Sequence, residues 1–296
     1  NIVPGMSTLH KWTKAANAPR LSQSVEHEGR THTDPLPVMG IRKLRWEKYW
    51  TRNASEWETF VQEFDLFRHE ALDTVPRPRP TGQDVAKALG SMRKNAGVGS
   101  DTWAVWELLQ LQPELLDELA DILHSIDTSL IVPTVLLDNI VALFGKPAPS
   151  NGERPITLLS MIYCLYTRVY GKDVTRWEEA QAAYWDNALP GKSAQQAAVL
   201  HVLKDELDVL DGFHTIGVMM DMEKFYDLMR PLFILRAARR RGFPMRTFVV
   251  SMLFHYGPKH LRAHGCYAPP SHPYTAICAG CRHGHDFTKL YFYEIM

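Results

Sequence analysis

His214-Thr215-Ile216-Gly217-Val218-Met219-Met220-Asp221-Met222-Glu223-Lys224-Phe225-Tyr226-Asp227 is the stretch that decides how this chain folds. Its first seven residues are mostly apolar, carry a β-branched pair, and lie between Asp211-Gly212 and an acid. That pattern predicts a buried strand. A carboxylate at the end of such a strand is held rigidly at a sheet edge, where it can bind a divalent cation. Phosphoryl transfer uses such a cation to activate the attacking oxygen and stabilise the leaving one. The same Asp could instead cap the turn that follows it, so the flanking sequence has to separate the two.

Moving outward, residues 1 to about 40 are rich in Ser, Thr, His, Pro and Gly and read as a leader with little fixed structure. Ile41 to Leu72 predicts a helix with an aromatic stripe, which is a core face by default. The run VPRPRP (Val75 to Pro80) reads as a linker. Helices are predicted over Asp84 to Arg93, Trp103 to Gln110, Pro113 to Thr128, from Pro133 toward Asn139, and over Ser160 to Ala183. Others are predicted over Ser193 to Leu210, with Ser193 as its cap, over Arg230 to Gly242, over Met245 to Tyr256, and from Phe287 onward. Ile140 to Phe144 has strand character, a turn spans Lys146 to Glu153, and Leu261 to Ile277 reads as a hairpin.

The 296 residues are 45% hydrophobic with a formal net charge of +0, a composition that supports a packed core and does not favour disorder. Charge is uneven, however. Arg230 to Arg262 holds eight Lys/Arg and no Asp or Glu, which suits either a phosphate backbone or a solvated helix face. Four cysteines are too few for a disulfide framework, and the most apolar run, Leu130 to Phe144, is too short to span a bilayer. The expectation is an intracellular protein, nuclear or cytoplasmic, with no membrane partner. The ends at Asn1 and Met296 read as those of a fragment.

With these segments in order, the chain resembles the reverse-transcriptase family, most closely its non-LTR (LINE-type) and group II intron branch. The strand followed by DMEKFYD is similar to the family's first catalytic segment. KNAGVGSDTW (Lys94 to Trp103) looks like its Gly-Pro-Asp-Gly segment, without the Pro. FGKPAPSNGERPITLLS (Phe144 to Ser160) resembles its Pro-Lys…Arg-Pro-Ile-Ser-Leu-Leu segment. ALPGKSAQQAA aligns Gly191, Lys192 and Ser193 with its Gly-Arg-Ser, and ICAGC resembles its Gln-Gly-Cys, with Ala279 in place of Gln.

The resemblance implies a mixed α/β fold: a helical N-terminal region over 1–80, fingers over 81–192, and a partial palm with a small antiparallel sheet over 193–296. It implies that Asp221 and the Met222 carbonyl bind Mg²⁺ (or Mn²⁺), that Lys146 and Arg154 hold the triphosphate, and that Tyr226 selects the sugar, with Phe225 beside it. Gly280, Cys281, Arg239, Arg240 and Arg241 would contact template and primer. The partners implied are an RNA or DNA template-primer and deoxynucleoside triphosphates, with an additional endonuclease domain in the parent chain as a further option. No Asp-Asp occurs in the sequence, so the family's second catalytic strand is expected beyond Met296 and the chain alone should not polymerise. Two alternatives stay open. One is a retroelement remnant without activity. The other is a zinc-binding nucleic-acid module built on His264, Cys266, Cys278, Cys281, His283 and His285.

Overall fold

The computed structural model describes residues 21–146, 152–182, 186, 189, 191–216 and 222–293. Within them the chain is a mixed α/β protein. The hairpin β1 (Val25–His27) and β2 (Arg30–His32) lies inside the expected leader and leads into helix α1 (Pro35–Trp50). Asp34 caps α1 by accepting the Leu36 N–H at 3.1 Å, and Pro35 occupies the first turn, where its missing donor costs nothing.

The expected single helix over Ile41 to Leu72 is two helices. Asn53 takes a left-handed conformation (φ 59°) and starts α2 (Ala54–Asp73) in a new direction. The break divides the aromatic stripe. Trp46 and Trp50 of α1 pack on the sheet, whereas Phe60, Phe64 and Phe67 of α2 enter the largest core.

Helices α3 (Gly82–Gly90), α4 (Val105–Leu108) and α5 (Pro113–Ser129) follow. The helix expected from Pro133 shrinks to one 3-10 turn at Thr134–Leu136, because Asn139 already enters a strand. That strand, β3 (Asn139–Gly145), pairs with β4 (Glu153–Leu158) as an antiparallel hairpin in which Ile140 faces Leu158 and Phe144 faces Arg154. The region after Ser160 forms α6 (Met161–Val169) and α7 (Gly171–Gln181), separated at Tyr170. Ser193 caps α8 (Ala194–Leu210) by accepting the Gln196 N–H at 3.1 Å. Then come α9 (Pro231–Arg240), α10 (Met245–His255), β5 (Lys259–Ala263), β6 (Cys266–Tyr267) and α11 (Gly284–Tyr293).

The larger sheet has the order β4-β3-β5-β6. Its central pair, β3 and β5, is parallel, so the expected antiparallel sheet is mixed. A parallel pair needs a long crossover, and the helices between the two strands supply it. The strand expected at His214 to Met220 is not formed in its described part. His214, Thr215 and Ile216 are exposed and belong to no helix or strand, and α8 before them buries none of its residues. Gly217 to Asp221 lies outside the described residues.

The stretch VPRPRP is not a free linker. Arg77 pairs with fully buried Asp127 of α5, donating from Nε at 3.2 Å. It also donates to Thr247 of α10 (2.9 Å), to the Tyr166 hydroxyl of α6 (2.6 Å) and, more weakly, to Asp173 of α7 (3.4 Å). Its guanidinium lies 4.2 Å from the Tyr170 ring centre. Burial works against this charge, but Tyr166, Asp127 and Asp173 outweigh it and raise the Arg77 pKa.

Removing one partner of a buried pair strands the other, so Arg77→Met should cost about 3–5 kcal/mol in urea denaturation. Arg77→Met/Asp127→Leu should cost less than the single change. Equal losses would mean that the pair acts only as filler.

Candidate functional site

β4 is an edge strand, and the chain covers that edge with its own distant segments. The Thr157 N–H donates to the Ala279 carbonyl at 2.7 Å. Gly280 follows at φ +114°, a conformation only glycine adopts readily, and a Cβ there would meet the Thr157 carbonyl oxygen at 2.8 Å. The Ile277 and Ala276 N–H groups donate to the carbonyls of Tyr226 (2.8 Å) and Met229 (3.0 Å). Residues 226–229 are thereby tied to 276–277, and these to β4.

The end of β4 meets a third segment. A Cβ on Gly99 would lie 2.2 Å from the Leu159 carbonyl oxygen, and one on Gly97 would lie 2.7 Å from the Leu158 side chain. Asp101 then caps α6, accepting from the Ser160 hydroxyl at 2.7 Å and from the Met161 and Ile162 N–H groups. Sequence reasoning missed this cap. Its signal was an acid shortly after two glycines and a serine at a helix start.

Alternation along the hairpin gives it two unlike faces. Val141, Leu143 and Thr157 are buried on the α1 side, where Glu153 accepts from Arg42 (2.8 Å) and from the Trp46 indole (3.1 Å). Phe144, Arg154 and Ile156 are exposed on the other face, which Arg262 and Tyr267 extend across the sheet. The two cations expected to clamp one triphosphate are therefore separated. Arg154 stands on the open face, while Lys146 borders a cleft against α1.

Of the segment expected to be catalytic, Asp221 lies outside the described residues and Met222 is exposed. Lys224 adopts φ 50° and opens a 3-10 turn over Phe225–Leu228. Phe225 stacks on Phe292 of α11 (centroids 5.4 Å apart, planes at 16°), and Tyr226 lies with a ring carbon 3.5 Å from where a Gly284 Cβ would sit. Asp227 is buried and accepts the Trp50 indole N–H at 2.9 Å. Burial raises its pKa, and burial lowers that of Lys259, whose ammonium lies 4.8 Å from the Trp50 ring centre. Asp227 thus belongs to the anchor of α1.

Cys281 contacts the Tyr163 hydroxyl at 3.0 Å, and Cys278 is fully buried, with its N–H donating to His255 Nδ1 at 2.9 Å. Burial pushes both thiols up, away from the thiolate a metal requires. Among the described residues the cysteines and histidines do not gather into a zinc set. The group that does approach ligand geometry is Glu178, His285 and Asp286. There the Lys289 ammonium already bonds Glu178 and lies 3.0 Å from Asp186.

The basic run is largely neutralised. Arg230, Arg236 and Arg239 pair with Glu56, Glu63 and Glu70 of α2, and Arg241 donates to the Tyr293 carbonyl. Arg246 is buried among backbone carbonyls, donating to those of Asp127 (2.7 Å) and Thr74 (2.8 Å). The expected basic face over Arg230 to Arg262 is therefore mostly an interhelical seam, in which Arg239 and Arg241 have structural partners. The glutamates responsible recur every seven residues, two turns apart on one face of α2.

No helix of the described residues is long and apolar enough to cross a membrane. No protein-family model matches the chain, and no curated protein matches it.

Gly280→Ala should lower stability by about 1–3 kcal/mol, through strain and the clash with Thr157. Gly191→Ala, also at positive φ but in open space, should cost about 1 kcal/mol. Comparing the two in urea unfolding separates close approach at β4 from backbone strain.

Proposed function

We propose that this chain is part of an RNA-directed DNA polymerase, a reverse transcriptase of a retroelement, with the incoming deoxynucleoside triphosphate held along the outer edge of β4. The observation that carries the reading is convergence. Three segments picked out by their likeness to that family (94–103, 144–160 and 277–281) meet at β4, though up to about 190 residues separate them, and Tyr226 of a fourth (221–227) is tied to the last of these by accepting the Ile277 N–H. Glycines stand where backbones approach too closely for any Cβ, as a built cradle requires.

In this reading Arg154 supplies the planar, bidentate contact that suits a phosphate. Lys146, which borders the cleft against α1, is not part of this contact; Tyr226 lies under the sugar, and Gly280 and Cys281 back the site. Asp221 and the Met222 carbonyl are one side of a Mg²⁺ (or Mn²⁺) site; the cation would act as Lewis acid on the transferred phosphoryl group. Asp227, committed to Trp50, is not the second ligand. The proposal therefore requires a second carboxylate other than Asp227. Template-primer contact at Arg239, Arg240 and Arg241 follows from the same reading. A remnant without chemistry is the rival reading, and Ala279 in place of Gln favours it.

Titration of the chain with dTTP and Mg²⁺ tests the pocket. Arg154→Ala should weaken binding about tenfold, as expected for loss of a charge-assisted pair. Unchanged affinity, or none in the unaltered chain, would overturn the reading. In primer extension by the parent polypeptide, Asp221→Asn should cost orders of magnitude. No extension by the unaltered parent would favour the remnant.

A further inference from the structure

On the side of the β3–β4 hairpin opposite Arg154, a cleft of about 400 Å³ lies between α1 and Lys146, Gly152 and Glu153 at the ends of β3 and β4. A second, of about 490 Å³, continues it toward the β1–β2 hairpin, and the two share Arg45, Lys146, Gly152 and Glu153. Five cations line the combined trough: Arg42, Arg45 and Lys48 from α1, Lys146 from just past the end of β3, and Lys224. Arg45, Lys48 and Tyr49 are spaced i, i+3, i+4 and so share one helix face.

The acids along the trough do not cancel this charge. Glu153 is engaged by Arg42 and Trp46, Glu223 is exposed beside Lys224 at 3.7 Å, and Glu26 stands at the far end. Lys224 is held in place by an unusual device. Its backbone takes the left-handed region (φ 50°), which a non-glycine residue adopts only at a cost. In exchange its ammonium donates to the Tyr49 hydroxyl and lies 3.8 Å from that ring's centre. That hydrogen bond lowers the Tyr49 pKa. Strain held at a surface site points to a role beyond packing.

We infer that this trough binds the sugar-phosphate backbone of single-stranded nucleic acid, on the face of the hairpin away from Arg154. Arg45 and Lys48 lie one turn apart on α1, and the lining runs on past Lys146 toward the β1–β2 hairpin, an extent that suits a linear polyanion better than a compact triphosphate. Tyr49 offers an aromatic surface among them, the combination found where single strands bind without sequence preference. The inference goes beyond the polymerase reading and does not require it, since binding here needs neither nucleotide nor divalent cation.

The test is fluorescence anisotropy of a labelled oligouridylate with the full chain, without nucleotide or divalent cation, across a series of salt concentrations. Arg45→Glu/Lys48→Glu should bind at least tenfold more weakly at low salt. Its slope of log affinity against log salt should be shallower by about 1.4, since each lost phosphate contact on a single strand removes about 0.7. Both side chains are exposed and the double variants lose only the Arg45 hydrogen bond to the Glu26 carbonyl, so both should keep a cooperative melt, and Lys87→Glu on α3 should bind like the unaltered chain. The milder Arg45→Gln/Lys48→Gln should show the same loss in smaller measure. Wild-type affinity and slope in both double variants would overturn the inference. So would competition by inorganic triphosphate as effective, per phosphate, as that by unlabelled RNA. Failure here leaves the dTTP titration unaffected, and failure of that titration leaves this result standing.

Discussion

Arg77 and Asp127 face each other inside the molecule, and a buried pair of charges persists only when its other hydrogen-bonding positions are filled. Here they are filled by Tyr166, Thr247 and Asp173, so one guanidinium fixes the approach of α5, α6, α7 and α10 to the stretch that leads into α3. The position of α6 matters most. It follows β4 almost directly, and Asp101 binds its first turn. The placement of β4, and of everything gathered on its edge, thus depends on a polar network in the helical part of the fold.

A second buried contact fixes the opposite side. Trp50 of α1 donates to Asp227, while Lys259 at the start of β5 lies against the same indole. This joins the N-terminal helix to the segment after Asp221 and to the sheet. It also explains why α1 forms one wall of a cleft whose other wall includes Lys146, Gly152 and Glu153. The hairpin thereby separates two environments. On one face Arg154 stands exposed beside Phe144 and Ile156; on the other Lys146 looks across at α1.

Local patterns were legible where the forces are local. Ser193 capping α8, Gly242 at positive φ after α9, and the apolar run of β3 all follow from residues within a few positions. Contacts between distant residues were not. Nothing near Arg77 announces that its partners stand 50 to 170 residues away, so VPRPRP reads as linker. The parallel pairing of β3 with β5 has no local signature either, and the arginines of α9 look basic only until Glu56, Glu63 and Glu70 face them. For the candidate site, family likeness picked out Gly280, and the structure supplies its reason in the closeness of Thr157. The same likeness grouped Lys146 with Arg154, because spacing along a hairpin does not show which face each residue takes.

The central claim is that the outer edge of β4 holds a nucleotide. Photocrosslinking with 4-thio-dUTP and Mg²⁺, followed by mass-spectrometric mapping of the labelled peptides, addresses it directly. The account predicts label on residues 154–157, 225–226 or 279–281, lost on competition with unlabelled dTTP. Label confined to peptides away from β4, or label that dTTP does not displace, would contradict it.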